Sequence, residues 1–577
     1  MIRIVSKVFL LVFCSGLLTT ALFAQKDKKE EIPNGWYLKD KQKDGLDGIS
    51  LDKAYDFVKG KKSKTILVAV IDSGVDTTHE DLKDVLWHNP GEIPGNGKDD
   101  DGNGYIDDVY GWNFLGGKDG SNVKEDSYEA HRVYYQFKDK YDGKDIDEKK
   151  LSKDEQYEYG LWVKAKAEME EAKNNGSGDN IETLKKNYTD TKQNYLDVVE
   201  FDSLLRKAYN KDMFSYEELK ELNPEEKRVK QAKAVLVYLM EANDMKDKSD
   251  QDILQGFGDY VEYLAGEVRK AEAGTHAPED YRGEIVKDNY NDLSDRYYGN
   301  NDVMANTPFH GTHVSGIIGA SRNNKKGMDG IADNVKIMMI RAVPDGDEHD
   351  KDIALAIRYA VDNGAEIINM SFGKYYSPEK KWVDEAVQYA AKKGVLLVHA
   401  AGNESRNVDS IPSFPNAYFL ESGKKATNWI NVGASGDPKM EQTGPDGEKY
   451  HSITAGFSNY GKKDVDIFAP GMKIYSTIPG GNTYGTAQGT SMASPVVAGI
   501  AAFILSYYPD LSAEQLKYVI EASATPTDEL VRIPGTTEEA KLSDISKTGG
   551  LVNVYEAIKL ASTLKGERAK VNKLKPF

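Results

Sequence analysis

The fold class is decided by the stretch TILVAVIDSGVD at residues 65–76. Its apolar residues run without alternation, which is typical of a strand buried on both faces of a parallel sheet. Asp72 stands where this strand should end, and open α/β sheets bind their ligands at the carboxyl ends of strands. The stretch therefore predicts an α/β fold, with Asp72 either a functional residue or a carboxylate that caps a turn.

A second stretch, FHGTHVSGIIGA at residues 309–320, places a histidine at the start of a predicted helix. The small residues of this helix allow close packing on a sheet. His310 and His313 are three positions apart and could share a metal ion. However, no glutamate lies between them as in the zinc-protease motif, and no third ligand is evident. The sequence therefore favours His310 as an acid–base group over a metal site.

A third stretch, GTSMASP at residues 489–495, joins a glycine-rich loop to a long apolar helix. Ser491 then lies in the first turn of that helix, where backbone N–H groups have no partner within the helix. These donors and the helix dipole favour negative charge nearby. This position suits a nucleophile that must stabilise an oxyanion beside itself.

Asp72, His310 and Ser491 supply a carboxylate, an imidazole and an alcohol, the three groups that nucleophilic hydrolysis uses. Their order along the chain is the subtilisin order. On the motifs VAVIDSGVD, HGTHVSG and GTSMASP, the chain resembles the subtilisin-like serine proteases, or subtilases. The resemblance implies a doubly wound, mostly parallel sheet in a three-layer core, and an Asp-His-Ser triad.

Two further segments extend this resemblance. In HAAGNE at residues 399–404, Asn403 matches the side-chain donor of the family's oxyanion hole. In IINMSFG at residues 367–373, the strand matches the one along which the substrate pairs. The resemblance implies that the walls of the specificity pocket are formed by Ser371, Phe372, Gly373, Ala400, Ala401 and Gly402.

The loop NGKDDDGNGYIDD at residues 96–108 resembles the first half of an EF-hand loop. Alternating oxygen ligands predict a structural calcium ion; the candidate ligands are Asp99, Asp101, Asn103, the carbonyl of Tyr105, and Asp107. Tyr110 stands where an EF-hand has its bidentate glutamate. The alternative is an Asn-Gly turn with solvated acids, but carboxylates this close repel one another unless a cation neutralises them. No organic cofactor is expected.

The composition and the N-terminus concern location and partners. The net charge of the 577 residues is −18, which argues against a nucleic-acid partner. Residues 1–24 have the basic start, apolar stretch and small-residue end of a signal peptide. We therefore expect an exported, periplasmic or extracellular monomer that acts on proteins or peptides, with no stable membrane span after signal removal. Removing the signal also removes Cys14, the one cysteine.

The interval between Asp72 and His310 is far longer than a subtilase needs. We predict an N-terminal extension at 25–64, a peptidase domain at 65–121 and 301–562, a helical insertion at 122–300, and a basic tail at 563–577. Within the insertion, capping boxes at Ser152 and Ser215 mark helix starts. No propeptide domain fits before residue 65. The insertion would emerge near the active-site face, as a lid or side wall that restricts substrates.

The sequence leaves more than one function open. The first is a secreted serine endopeptidase that works through an acyl-enzyme. A second is a peptidase that the insertion restricts to short peptides. A third is a non-catalytic peptide-binding protein on the same fold, although such a protein would be free to lose the triad and Asn403.

Overall fold

The computed structural model describes residues 32–175, 181–211, 213–243, 245–246, 248–273, 275–305 and 308–568. The strands are β1 (Ile66–Asp72), β2 (Gly111–Asn113), β3 (Val335–Arg341), β4 (Ile367–Met370), β5 (Leu396–Ala400), β6 (Trp429–Ser435), β7 (Glu441–Thr443), β8 (Lys449–His451), β9 (Ile467–Pro470), β10 (Ile474–Ile478), β11 (Thr483–Ala487), β12 (Thr525–Pro526), β13 (Leu530–Arg532), β14 (Glu539–Lys541) and β15 (Gly550–Leu551). The α-helices are α1 (Lys41–Asp44), α2 (Leu51–Val58), α3 (Glu129–Tyr141), α4 (Lys153–Asn175), α5 (Ile181–Tyr209), α6 (Tyr216–Glu221), α7 (Lys227–Ala242), α8 (Asp250–Ala273), α9 (Tyr281–Val286), α10 (Phe309–Gly319), α11 (Asp350–Asp362), α12 (Lys380–Lys392), α13 (Thr490–Tyr507), α14 (Ala513–Ala522), α15 (Leu542–Ile545) and α16 (Val554–Ala561).

A nine-stranded sheet forms the centre of the larger unit, in the order β12-β15-β9-β6-β5-β4-β1-β3-β2. Every neighbouring pair is parallel except β12 and β15. The chain places β2 and β3 on one side of β1, and β4, β5 and β6 on the other. The sheet therefore reverses its direction of growth at β1, where such folds bind ligands. The predicted α/β class and mostly parallel sheet are confirmed.

Helices cover both faces of this sheet. One set of alternate strand residues, including Ala69, Ile71 and Ile368, packs in the same core as α11 and α12. On the other face, α10 and α13 pack against each other and against the strands. β1 is almost completely buried, as its unbroken apolar run predicts. The result is the three-layer arrangement that the sequence predicts.

Helix α13 forms the centre of one of these layers. Among the described residues, it is the one helix long and apolar enough to cross a membrane, and 89% of it is buried inside the protein. Its apolar surface is therefore covered by the sheet and its neighbouring helices.

The chain divides into two compact units, and the division falls inside the predicted insertion. Among the described residues, those within 34–175 and 271–568 form the larger unit, and those within 181–270 belong to the smaller one. Helices α3 and α4 therefore lie in the same unit as the sheet. The boundaries predicted at 121/122 and 300/301 remain predictions, and the predicted signal peptide lies outside the described residues.

The smaller unit is helical, as predicted. Its helices α5 to α8 enclose an apolar core of their own, which includes Leu205, Phe214, Leu236 and Met240. Helix α6 begins with a complete capping box at Ser215. The second predicted box, in the larger unit, is also present: Ser152 and Glu155 exchange hydrogen bonds at the start of α4.

Candidate active site

Asp72 and His310 are in direct contact. Strand β1 ends at Asp72, which is buried, and His310 lies in the first turn of α10. His310 Nδ1 is 2.8 Å from Asp72 Oδ1, and Ser73 N donates to the same oxygen at 2.7 Å. Because an ionised carboxylate only accepts hydrogen bonds, this pair favours the tautomer with its proton on Nδ1 and a basic Nε2.

Ser491 lies in the first turn of α13, after Gly489 at the N-cap position. Gly489 has a φ of 147°, a conformation that glycine adopts without strain. Ser491 Oγ donates to the carbonyl oxygen of Ser371 at 3.0 Å, and Ser371 Oγ donates to that of Ser491 at 2.9 Å. This reciprocal pair ties the start of α13 to the segment after β4.

A second layer of hydrogen bonds supports this contact. Ser494 Oγ donates to Asn369 Oδ1 at 2.8 Å, and Asn369 Nδ2 donates to Ser371 Oγ at 2.9 Å. All three side chains are buried. The loop that carries Ser491 is therefore held by a continuous series of hydrogen bonds between α13 and β4, and such a fixed position is what the predicted nucleophile requires.

The amide of Asn403 is oriented by Thr490. Asn403 Oδ1 accepts hydrogen bonds from Thr490 N at 2.8 Å and from Thr490 Oγ1 at 2.9 Å. These bonds use the amide's acceptor, so Nδ2 is its donating end. A Cβ atom placed on Gly489 would lie 3.4 Å from Nδ2. The donor is therefore held beside the backbone that leads into Ser491.

The residues predicted to line the specificity pocket leave the sheet on adjacent strands. β4 and β5 are parallel neighbours, with Met370 opposite His399, so residues 371–373 and 400–402 emerge side by side. Gly402 N also donates to Thr490 Oγ1 at 3.0 Å. The two predicted walls therefore flank the approach to Ser491.

The acidic loop brings Asp99, Asp101 and Asn103 together, and Asn103 Nδ2 donates to Asp101 Oδ2 at 3.2 Å. Asp99 and Asp101 each have a carboxylate oxygen within 4.8 Å of the other's and of one from Glu92. Glu92 is buried, and its Oε2 has no hydrogen-bond partner among the described residues. Sequence reasoning missed Glu92, because it precedes the alternating run.

Several predicted ligands also accept hydrogen bonds from the backbone of the loop itself. Asp107 accepts hydrogen bonds from the N–H groups of Gly95, Asn96 and Gly97. Asn103 Oδ1 accepts one from Tyr105 N at 2.7 Å. Whether these residues also bind a cation stays a prediction.

The comparisons with known proteins agree with this geometry. The family model described as "Subtilase family" matches residues 63–544. The chain belongs to the subtilases, a family of serine peptidases. Thermitase of Thermoactinomyces vulgaris is 35% identical over 281 residues, 47% of this chain and 85% of thermitase.

Two further relatives are proteases by name. Subtilisin DY of Bacillus licheniformis is 36% identical over 218 residues, 37% of this chain and 70% of that protein. The thermophilic serine proteinase of Bacillus sp. (strain AK1) is 43% identical over 198 residues, 34% of this chain and 42% of its own length. The chain thus spans less than half of this last relative.

A buried arginine that the sequence did not single out lies beside Asp72 in this subtilase. Arg341, at the end of β3, pairs in register with Asp72. Its Nε donates to Ser73 O at 3.0 Å, and its Nη2 to Val123 O at 2.6 Å. Burial lowers the pKa of Arg341 to about 10. The one feature of the sequence that could have indicated this contact is an arginine at the end of a buried strand.

The second histidine of the HGTH motif is structural. His313 is fully buried, and its Nε2 contacts the carbonyl oxygen of Ile474 at 2.9 Å. Burial lowers the pKa of His313 to about 3. The expectation that His310 and His313 do not share a metal stays a prediction.

We expect His399 to make the stability of this subtilase depend on pH. Burial lowers the pKa of His399 to about 4, so the unfolded chain takes up a proton first as the pH falls. Stability is then lost between pH 6.5 and about 4, by up to about 1.4 kcal/mol per pH unit. Replacement His399→Gln retains a donor for Asn431 Oδ1 and removes the contribution of His399 to this slope, while that of the buried His313 remains. Melting temperatures of both proteins from pH 7 to pH 4 test this, and parallel curves would contradict it.

Proposed function

We propose that this subtilase is an exported serine endopeptidase that hydrolyses peptide bonds in proteins or peptides. The observation that carries the proposal is the contact between His310 Nδ1 and Asp72 Oδ1 at 2.8 Å. It fixes the imidazole that the reaction needs as a base. Export rests on the predicted signal peptide and on relatives such as the cell wall-associated protease of Bacillus subtilis.

The first half of the reaction forms an acyl-enzyme. Ser491 Oγ attacks the carbonyl carbon of the substrate, and its proton passes to His310 Nε2. The carbonyl oxygen becomes an oxyanion, which accepts hydrogen bonds from Asn403 Nδ2 and from the backbone N–H of Ser491. His310 then gives its proton to the amine as the C–N bond breaks, and Ser491 is left as an ester.

The second half repeats these steps with water. The oxygen of a water molecule attacks the ester while His310 takes a proton from that water. The oxyanion that forms again accepts hydrogen bonds from the same donors. The proton then passes to Ser491 Oγ, which leaves as the free hydroxyl. Throughout, Asp72 stabilises the imidazolium that forms on His310 without itself taking a proton.

Labelling with a fluorophosphonate tests this function. We expect covalent labelling of the purified protein in calcium-containing buffer, and none of the Ser491→Ala variant. A protein that binds peptides without turnover would have no activated serine to label. Absence of labelling in the parent protein would contradict the proposal that it is a protease. Cleavage of a peptide library then separates a general endopeptidase from one restricted to short peptides.

We also infer that the acidic loop binds calcium as a structural ion. Three carboxylates offer oxygens within 4.8 Å of one another, from Glu92, Asp99 and Asp101. The unpartnered Oε2 of the buried Glu92 supports a cation there, since a buried charge needs a partner. Calcium takes oxygen ligands of this kind. When bound, the ion would neutralise the loop and hold it in place.

Calcium is expected to raise the melting temperature of the protein. A ligand that binds only the folded state stabilises it by about 2.7 kcal/mol at a hundred times its dissociation constant. We expect chelation to reverse this gain, and Glu92→Gln to weaken it. The exposed Asp145 offers a matched control, Asp145→Asn. If calcium and chelator leave the melting curve unchanged, the loop holds no structural ion.

A further inference from the structure

The strand predicted to pair with the substrate ends at Gly373, and the backbone of the next residue, Lys374, pairs with Phe414. Lys374 N donates to the carbonyl oxygen of Phe414 at 2.8 Å, and Phe414 N donates to that of Lys374 at 2.7 Å. Successive residues of an extended chain direct their backbone groups to opposite edges. Lys374 therefore faces Phe414, while Ser371, Gly373 and Tyr375 face the other edge. That other edge lies next to Ser491, because the carbonyl oxygen of Ser371 accepts a hydrogen bond from Ser491 Oγ.

Helix α4 of the insertion occupies the next acceptor on this edge. Lys164 Nζ donates to the carbonyl oxygen of Tyr375 at 3.0 Å, and Tyr157 Oη donates to that of Ser377 at 2.9 Å. The chain also bends at Tyr375. A peptide paired along residues 371–373 thus finds neither an open acceptor nor a straight edge beyond Gly373.

The same segment is fixed by packing. Lys164 Nζ lies 4.3 Å from the centre of the Tyr376 ring. Tyr376 is buried in an apolar cluster with residues of α3 and α4, namely Ala130, Val133, Leu161, Ala165 and Met169. The insertion and the segment after the substrate strand therefore share a packed, buried interface.

Helix α3 ties this segment to the one that follows β3. Arg132 Nη2 donates to the carbonyl oxygen of Asp347 at 2.9 Å. On the other side, Lys374 Nζ donates to Glu129 Oε2 at 2.7 Å and to the carbonyl oxygen of Glu348 at 2.6 Å. Glu129 and Arg132 pair with each other at 2.7 Å. The segments after β3 and β4, which lie on either side of β1, are thus joined just past Gly373.

These charges are held in their ionised forms. Lys374 is buried, yet the carboxylates of Asp350 and Glu129 outweigh its desolvation and hold its pKa above the usual range. Arg132 and Lys374 likewise hold the pKa of the buried Glu129 below its usual range. Removing one partner from such a buried network destabilises the protein strongly. The folded protein therefore keeps the segments after β3 and β4 joined at this point.

We propose that helices α3 and α4 end the substrate groove after Gly373, so that the protein recognises only about three residues on the acyl side of the scissile bond. The number follows because a peptide pairs residue for residue with Ser371–Gly373. A fourth residue leaves the groove for solvent and makes no specific contact. This inference rests on the proposed function, and it assigns the insertion the role of a selectivity wall.

A series of blocked peptide p-nitroanilides with two to five residues before the scissile bond tests the wall. We expect kcat/KM to rise up to the third residue and to change less than about twofold with the fourth and fifth. A gain of tenfold or more from three to five residues would overturn the inference. If no peptide is cleaved and Ser491 is not labelled, the proposed function fails as well; labelling together with a tenfold gain rejects the wall alone.

Lys164→Met supplies the second test. It frees the carbonyl of Tyr375 and keeps an unbranched side chain over Tyr376, on an exposed helix position. We expect the ratio of kcat/KM for five residues over three to rise about three- to tenfold, the scale of one hydrogen bond. Lys166→Met, on the same helix as Lys164, is the matched control. Lys166 Nζ pairs with Asp142, which directly follows α3, at 2.7 Å and, among the described residues, does not contact the substrate strand. Equal ratios in both variants would reject the part assigned to Lys164.

Discussion

Ser491→Ala is expected to lower kcat for peptide hydrolysis by about six orders of magnitude, the scale measured for the same loss in a subtilisin. The variant removes the one atom that attacks the substrate. It keeps the backbone N–H of Ser491, and Asn403 stays anchored on Thr490. Substrate binding should therefore persist, and the loss should appear in kcat with little change in KM.

The measurement needs a control in the same helix. Ser506 lies near the other end of α13, where its Oγ donates to the carbonyl of Phe503 at 2.8 Å. Ser506→Ala removes a buried hydroxyl far from the nucleophile, and we expect it to keep most of the activity. Active-site titration before each assay excludes traces of parent enzyme. More than about one per cent residual activity in Ser491→Ala, against the six decades expected, would mean that another group attacks.

The sequence predicted the parts of this protein in which local pattern and position coincide. The apolar run at 65–71 predicted a doubly buried strand, and β1 is the strand at which the sheet reverses. The glycine-rich approach to residue 490 predicted the helix start, and α13 begins there. Because Asp72, His310 and Ser491 each stand at the end of such an element, their placement followed from the elements.

Long-range polar contacts carry no such pattern. Glu92 joins Asp99 and Asp101 because the loop folds back on itself, and nothing in its own neighbours indicates that return. The partners of Lys374 come from α3 and from the segment after β3. An isolated lysine gives no sign of which carboxylate it will meet, so the selectivity wall could not be read from the sequence.

The insertion shows the same limit at a larger scale. Its helices could be predicted from capping boxes and apolar spacing, but not which of them would belong to the unit that contains the sheet. Helix α4 packs with the larger unit through Leu161, Ala165 and Met169, while α7 uses residues of the same kinds in a separate core. Apolar faces of similar composition do not specify their partners.

Asp72→Asn is expected to lower kcat by about four orders of magnitude. Asp72 Oδ1 accepts from His310 Nδ1 at 2.8 Å and from Ser73 N at 2.7 Å. An amide whose oxygen takes the place of Oδ1 keeps both contacts, because this one oxygen accepts from His310 Nδ1 and from Ser73 N. The amide carries no negative charge, so it stabilises the imidazolium that forms on His310 far less, and His310 becomes a weaker base for Ser491.

The matched control for this variant is Asp76→Asn, a buried aspartate close by on the same loop. Asp76 Oδ1 accepts from Thr78 N at 2.9 Å, a bond that an amide oxygen retains. We expect Asp76→Asn to stay within about tenfold of the parent, while Asp72→Asn loses kcat and fluorophosphonate reactivity by the same factor of about 10⁴. Equal losses in the two reactions locate the defect in the activation of Ser491. Full fluorophosphonate reactivity in Asp72→Asn would show that the charge of Asp72 does not activate His310.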